Sequence, residues 1–414
     1  MLTMTTLARR LSTIAPSATI EISRRAAEMR REGLDIISLS QGEPDFDTPA
    51  HIAHAGKRAI DEGQTRYTDV DGTPELKQAI VAKFERDNAL HYSTDQISVG
   101  TGGKQVIFNA LMALIDPDDE VIIPAPYWVS YPDMVRLTGG MPVIVECGEA
   151  QHFRLTPEQL EAAITPQTKC LILNSPGNPT GTGYHREELI ALGEVLKRHP
   201  QVFVISDDIY EYLAYDGWAF TTLAAVVPEL FERTLTVNGV SKGYAMTGWR
   251  IGFGAGPKDL IRAMAMLQGQ MTTNPSAISQ AAAVEALNAP KDFLEEHLEI
   301  LRQRRDMCAA AINAIDGLSC RVPEGAFYLF VSCQGLMGRR TPDGEVLERD
   351  VDVARFLLET AHVAVVPGSA FGLAPWFRVS FAAATERLGE ACERMAHACQ
   401  TLTAAPVTDQ TPIG

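Results

Sequence analysis

The chain has 414 residues, is 46% hydrophobic and carries 36 basic against 52 acidic side chains, a formal net charge of −16. That balance repels nucleic acid and anionic membrane surfaces, and no basic patch offsets it, so neither partner is expected. No apolar run is long enough to span a bilayer, and length and apolar content together allow a core divided between two domains.

The first twenty residues, MLTMTTLARRLSTIAPSATI, place arginines where a signal peptide needs an apolar stretch, so no leader is read there. Next, ISVGTGGKQVIFNALMALI (97–115) predicts a short strand, a glycine turn and a helix with apolar positions at Val106, Ile107, Ala110, Leu111 and Leu114. Glycines at a helix start expose backbone N–H groups and leave room for an anion such as phosphate. An ATP-binding loop would need Gly at 98 and Ser or Thr at 105, where Ser98 and Gln105 stand. The pattern G-x-G-x-x-G is absent too, including at GFGAG (252–256). A phosphate is therefore expected, but not a nucleotide's.

Further along, EVIIP (120–124), KCLILNSP (169–176), FVISDD (203–208) and TLTVNGVS (234–241) are short apolar runs bounded by Pro, Gly, Asn or Asp. Helical patterns such as REELIALGEVLKRH (186–199) lie between them. The alternation predicts an α/β fold, a large domain whose mainly parallel sheet is covered by helices on both faces. Ligands in such sheets bind beyond the carboxyl ends of the strands, where Asn174, Asp207, Asp208 and Ser241 fall. Residues 293–315 predict a long charged helix able to link a second domain, with Arg302, Arg304 and Arg305 on a solvated face. GAFYLFVSC (325–333) and HVAVVPGSAFG (362–372) predict a smaller α+β domain, and the aperiodic tail after Leu402 predicts disorder. The seven cysteines are scattered without a C-x-x-C pair, as reduced thiols of a cytoplasmic protein would be. The nine histidines show no ligand spacing, so no metal is expected.

The stretch NGVSKGYAMTGWRIG (238–252) holds two cations, Lys242 and Arg250, among small and apolar residues. Most lysines are solvated surface groups. One in a run this lean in charge suggests a nucleophile, with Arg250 holding an anion beside it. A lysine nucleophile, a phosphate cradle and an acidic strand end together suggest pyridoxal phosphate.

Seven motifs then make the reading specific: SQGEPDFDTP (40–49), GGKQ (102–105), PYWVSYP (126–132), NSPGNPTG (174–181), SDDIYE (206–211), NGVSKGYAMTGWRIG and FRVSFA (377–382). Together, in this order, they resemble the class I aminotransferases of pyridoxal-phosphate fold type I, closest to the bacterial aspartate aminotransferase subgroup. The resemblance covers roughly residues 16–398.

It implies that Lys242 forms a Schiff base with the cofactor and shuttles the substrate proton, which requires a desolvated amine. Asp207 would face the ring nitrogen; the register D-x-x-Y ending at Tyr210 selects it over Asp208. Tyr210 and Asn178 would hydrogen-bond the ring's phenolic oxygen, and Trp128 would cover the ring face. Arg250 would clamp the phosphate, assisted by Ser241, Gly102 and Gly103, with Lys104 beside it. Tyr67, in QTRYTDVDG (64–72), resembles a residue that reaches the phosphate of a neighbouring subunit, implying a homodimer with shared sites. Arg378 would bind the substrate α-carboxylate with Gly42, Asn178 and Trp128 around it, and Lys104 the distal carboxylate of aspartate.

In that frame the chain divides into an N-terminal arm (1–15), a first part of the small domain (16–47), the large cofactor-binding domain (48–305), the rest of the small domain (306–402) and a tail (403–414). Two departures stand out. Gly239 occupies a place where other branches have a phosphate-binding serine, and Ala15 a place where the subgroup often has a second cation for the distal carboxylate. Aspartate to 2-oxoglutarate transfer is the expected reaction; aromatic or prephenate substrates, or a lyase on the same fold, are the alternatives. A transcription regulator borrowing the fold would need a DNA-binding module that the residues before 16 are too few to form.

Overall fold

The computed structural model describes residues 7–14 and 18–404. Ala15 and the tail from residue 405 lie outside the described residues. The chain forms two compact units. The first gathers Glu43–Arg302 and Pro323–Phe327 with the described N-terminal residues; the second gathers Gln303–Val322 with the described parts of Pro16–Gly42 and Tyr328–Gly414.

The first unit is built on seven strands: β1 (Ile97–Gly100), β2 (Glu120–Ala125), β3 (Met141–Glu146), β4 (Thr168–Asn174), β5 (Phe203–Asp207), β6 (Thr234–Gly239) and β7 (Gly252–Ala255). Their order across the sheet is β1-β7-β6-β5-β4-β2-β3. Only β7 is antiparallel to its neighbours. Both faces are buried, as the continuous apolar runs require. Alternate residues of one strand serve opposite cores: Val121 and Ile123 pack with the helices Gly103–Leu114 and Lys258–Met271, while Ile122 packs with Leu189, Leu192 and Leu196 of the helix Arg186–Arg198.

The strand β7 escaped the sequence reading because glycine disfavours strands. Its glycines are there for space. A Cβ on Gly252 would lie 2.1 Å from the Gly103 nitrogen, and one on Gly254 would lie 2.8 Å from a Val106 methyl. The tract GFGAG thus lets β7 run directly behind the start of the helix Gly103–Leu114.

In the second unit, Trp376–Ser380 is flanked by Val366–Pro367 and Tyr328–Ser332 in a four-stranded antiparallel sheet whose far edge is Ser319–Cys320. Ile37–Ser38 pairs in parallel with Val363–Ala364, and the helices Ala18–Arg31, Asp350–Thr360 and Thr385–Gln400 complete the α+β unit. The helix Asp292–Asn313 fills the segment predicted as a long charged helix, but Arg304 and Arg305 are buried and not on a solvated face. Among the described residues, no helix is long and apolar enough to cross a membrane.

Candidate active site

The anion cradle begins where β1 ends. Gly102 takes φ +84 and precedes the helix Gly103–Leu114 without any side-chain cap, which leaves first-turn amides for an external acceptor. A Cβ on Gly102 would come within 2.3 Å of an Arg250 guanidinium nitrogen, so only glycine lets that guanidinium lie against the turn. Arg250 itself adopts φ +57 and donates to the carbonyl oxygens of Thr247 at 2.9 Å and Thr101 at 3.4 Å. Lys104 joins it: its Nζ lies 4.8 Å from the centre of the Trp128 ring. Burial, then the Arg250 charge, holds the Lys104 amine below its ordinary pKa. Two cations and a helix N-terminus converging on one turn suit a doubly charged phosphate.

Across the sheet, Asp207 is the last residue of β5 and is buried. Its Oδ2 accepts from the Tyr131 hydroxyl at 2.6 Å and its Oδ1 from the Ile209 amide at 3.3 Å. Burial pushes its carboxyl up to about 6, against the opposing pull of Tyr131, the Ile209 amide and the positive charge of Lys242. Asp208 accepts instead from the Ser206 hydroxyl at 2.8 Å, and burial raises its carboxyl well above the ordinary range.

Lys242 follows β6, with its Nζ 5.9 Å from the ring centres of both Tyr210 and Phe327. Small neighbours keep this turn tight: a Cβ on Gly243 would lie 2.8 Å from the Tyr212 ring. At Gly239, a Cβ would lie 3.0 Å from the Ile251 carbonyl oxygen, a tight approach. Asn178 is buried, its backbone amide held by Asn174 Oδ1 at 2.9 Å, and the Asn174 side-chain amide donates to the Asp207 carbonyl at 2.8 Å. Ser241 is buried one residue before the lysine. The first unit thus brings Lys242, Asp207, Tyr210, Asn178 and Ser241 to the carboxyl edge of the sheet, with Gly102, Gly103, Lys104, Trp128 and Arg250 forming the cradle.

Tyr67 stands apart. It is 89% exposed, makes no hydrogen bond or ring contact among the described residues, and lines an open groove of about 780 Å³ with Arg66 and residues 272–278. In the second unit, Arg378 is buried on the strand Trp376–Ser380, donates to the Ser40 carbonyl at 2.6 Å, and lies 4.5 Å from the Tyr328 ring centre and 5.1 Å from that of Phe371. A Cβ on Gly42 would lie 2.9 Å from the Tyr328 hydroxyl, so glycine there keeps the backbone open.

Sequence reasoning missed Tyr131. The signal was present in PYWVSYP: a turn (Tyr131 amide to Trp128 carbonyl, 3.0 Å) places a second aromatic hydroxyl beside Trp128, and the two rings meet edge to face at 5.3 Å. Burial holds the Tyr131 phenol far above its ordinary range, so it serves as a permanent donor. In Tyr131→Phe the Asp207 carboxylate loses a charge-assisted hydrogen bond worth about 1.5–3 kcal/mol. Asp207 should then take up its proton at higher pH than in the wild type, which the infrared carboxyl band of the cofactor-free protein would report.

The chain as a whole is similar to known proteins. The family model for aminotransferase class I and II matches residues 34–395. The crystal structure of the aspartate aminotransferase from Rhizobium meliloti superposes with a TM-score of 0.94 at 56% identity, covering 96% of this chain and 99% of that one. The Thermus thermophilus aspartate aminotransferase solved with maleate gives a TM-score of 0.88 at 44% identity, over 95% and 99% of the two chains. An aspartate/prephenate aminotransferase from Cereibacter sphaeroides is 55% identical over 96% of this chain and its own full length. A match of this length, on a fold with this site, has one reading: the chain belongs to the class I and II aminotransferases.

Proposed function

We propose that this aminotransferase uses pyridoxal phosphate to move the amino group of aspartate to 2-oxoglutarate. The observation that carries the proposal is the pairing of a lysine amine that acts on a buried aspartate with an anion cradle built from Gly102, Lys104 and Arg250. The donor set fits the cofactor: a cradle that a single Cβ would fill, a buried carboxylate for a cationic nitrogen, and an aromatic wall. When bound, pyridoxal phosphate supplies an electron sink for the substrate's Cα.

The chain's own groups do the rest. Arg250, Ser241 and the amides at Gly102 and Gly103 would hold the phosphate, with Tyr67 of a second copy as a further donor. Asp207 would keep the ring nitrogen positive, Tyr210 and Asn178 would donate to the ring oxygen, and Trp128 would cover the ring. Lys242 would anchor the cofactor and move the Cα proton. Arg378 forks the substrate α-carboxylate beside the open backbone of Gly42.

Lys104 is assigned the distal carboxylate. Its amine is depressed by burial and by Arg250, a cost that an additional anion offsets. The dicarboxylate maleate in the Thermus structure and the names of both aspartate relatives support the same class of substrate. The homodimer is supported by the exposed Tyr67 and by Met266 and Met271, at 68% and 50% exposure on one helix. Seven free cysteines support a reducing, cytoplasmic setting.

A half-reaction screen tests the substrate. Aspartate should convert the cofactor's absorption to that of its amino form, and Lys104→Ala should lower kcat/KM for aspartate by about 10- to 100-fold, the loss of one charged hydrogen bond, while phenylalanine changes little. An unchanged aspartate preference in Lys104→Ala removes the dicarboxylate assignment, and a wild type that ignores aspartate but accepts aromatic amino acids or prephenate establishes the alternative specificity suggested by the Cereibacter relative.

A further inference from the structure

One short segment of the first unit, Pro323–Phe327, is sewn between the two loops that carry Asn178 and Tyr210. Gly325 donates to the Gly181 carbonyl at 2.8 Å, and a Cβ on Gly181 would lie 2.5 Å from the Gly325 oxygen. On the other side, Ala326 donates to the Leu213 carbonyl at 2.9 Å, Tyr215 donates its amide to the Glu324 carbonyl at 3.0 Å, and its hydroxyl donates to the Ala326 carbonyl at 2.5 Å. Ala326 takes φ +55, a left-handed conformation that a β-carbon disfavours, so the surroundings must hold it.

A buried arginine completes the attachment. Arg154 donates to the Gly183 carbonyl at 2.9 Å and pairs with Glu188 at 3.3 Å and with Glu324 at 2.8 Å. The segment ends on Phe327, which is fully buried and meets Tyr210 edge to face at 5.6 Å and 83°. The Lys242 Nζ is 5.9 Å from both ring centres. A lysine stem is rich in rotamers, and two rigid aromatic walls, each within cation–π reach of about 6 Å, restrict where its amine can go.

We propose that Phe327 is a positioning residue for Lys242, and that the Arg154–Glu324 ion pair, remote in sequence, fixes Phe327 in place. The inference deepens the reading above and rests on Lys242 being the reactive amine. Its role is to hold the amine before the cofactor arrives. Removing the ring frees the lysine without touching the phosphate cradle.

The test uses protein stripped of cofactor, with pyridoxal phosphate added back and its capture followed by absorbance. Inorganic phosphate, titrated by calorimetry, reports on the cradle alone. Phe327→Leu should slow capture by about tenfold, in line with the rate cost of misplacing a reacting group by a fraction of an ångström. It should lower kcat similarly, leaving KM and phosphate affinity within about twofold of wild type. Glu324→Gln should give the same pattern at smaller size, and it decides the matter alone if Phe327→Leu does not fold. Capture at the wild-type rate in the folded variants overturns the proposal, and so does a parallel loss of capture and phosphate affinity, which would mean general loosening. If the wild type itself captures no cofactor, the cofactor reading falls, and that outcome is distinguishable because no variant is needed to see it.

Discussion

Lys242→Ala should abolish amino transfer, lowering kcat by about 10⁴-fold, the upper range for a positioned proton-transfer group, while the protein still folds and still binds phosphate. Among the described residues of the first unit, Lys83, Lys104, Lys242 and Lys291 lie close to aromatic rings, and Lys291 is committed to an ion pair with Asp87 at 2.9 Å. Lys83 is wholly buried in a closed network with Glu211 and Asn88, donating to Asn88 Oδ1 at 2.5 Å, and is committed to structure. Lys104 belongs to the cradle. The charge of Lys242 opposes the effect of burial on the Asp207 carboxyl. The check is single-turnover mixing with aspartate, with phosphate affinity as the control. Residual turnover within about tenfold of wild type would place the proton transfer on another group.

Asp207→Asn should move activity and stability in opposite directions. In the folded protein without cofactor, burial raises the carboxyl from 3.8 to about 6. The folded state thus binds the proton more tightly than the unfolded chain. The stability this lends is full below about pH 3.8 and is lost as pH rises towards 6. Above 6 the buried charge costs on the order of 3 kcal/mol, about two pKa steps at about 1.4 kcal/mol each. The asparagine variant avoids that cost while keeping an oxygen for Tyr131, so at pH 7.5 its cofactor-free form should be more stable to urea than wild type. Below pH 4 the difference should vanish. With cofactor bound, the same change removes one member of a buried charge pair, and transfer should fall by about 10²- to 4 × 10³-fold, corresponding to about 3–5 kcal/mol. A cofactor-free Asp207→Asn protein no more stable than wild type at pH 7.5 would mean that Asp207 is not ionised against its burial.

The parts of this site that could be read from the sequence share a physical reason. β4 and β5 carry the apolar runs CLIL and FVI just before Asn174 and Asp207, so the pattern locates both the strand and its carboxyl end. Gly102 marks the helix start because it takes φ +84 and lies too close to Arg250 for a Cβ. β7 could not be read, because GFGA is chosen for close approach to Gly103 and Val106 and not for strand propensity. Tyr131 stood in a quoted motif, but its role depends on reaching a carboxylate 76 positions away. Arg154 and Glu324, 170 positions apart, meet only in the folded chain. Tyr67 shows a different limit: its exposure in a single chain gives it no partner, so its assignment depends on a second copy.

The central claim, that Lys242 carries the cofactor, is tested most directly by borohydride reduction of the protein loaded with pyridoxal phosphate, followed by peptide mapping. Reduction should bleach the yellow colour and leave one covalent adduct, on Lys242, with Lys83 and Lys104 unmodified and no adduct in Lys242→Ala. An adduct on any other lysine of the active protein, or one that survives in Lys242→Ala at wild-type yield, would contradict it.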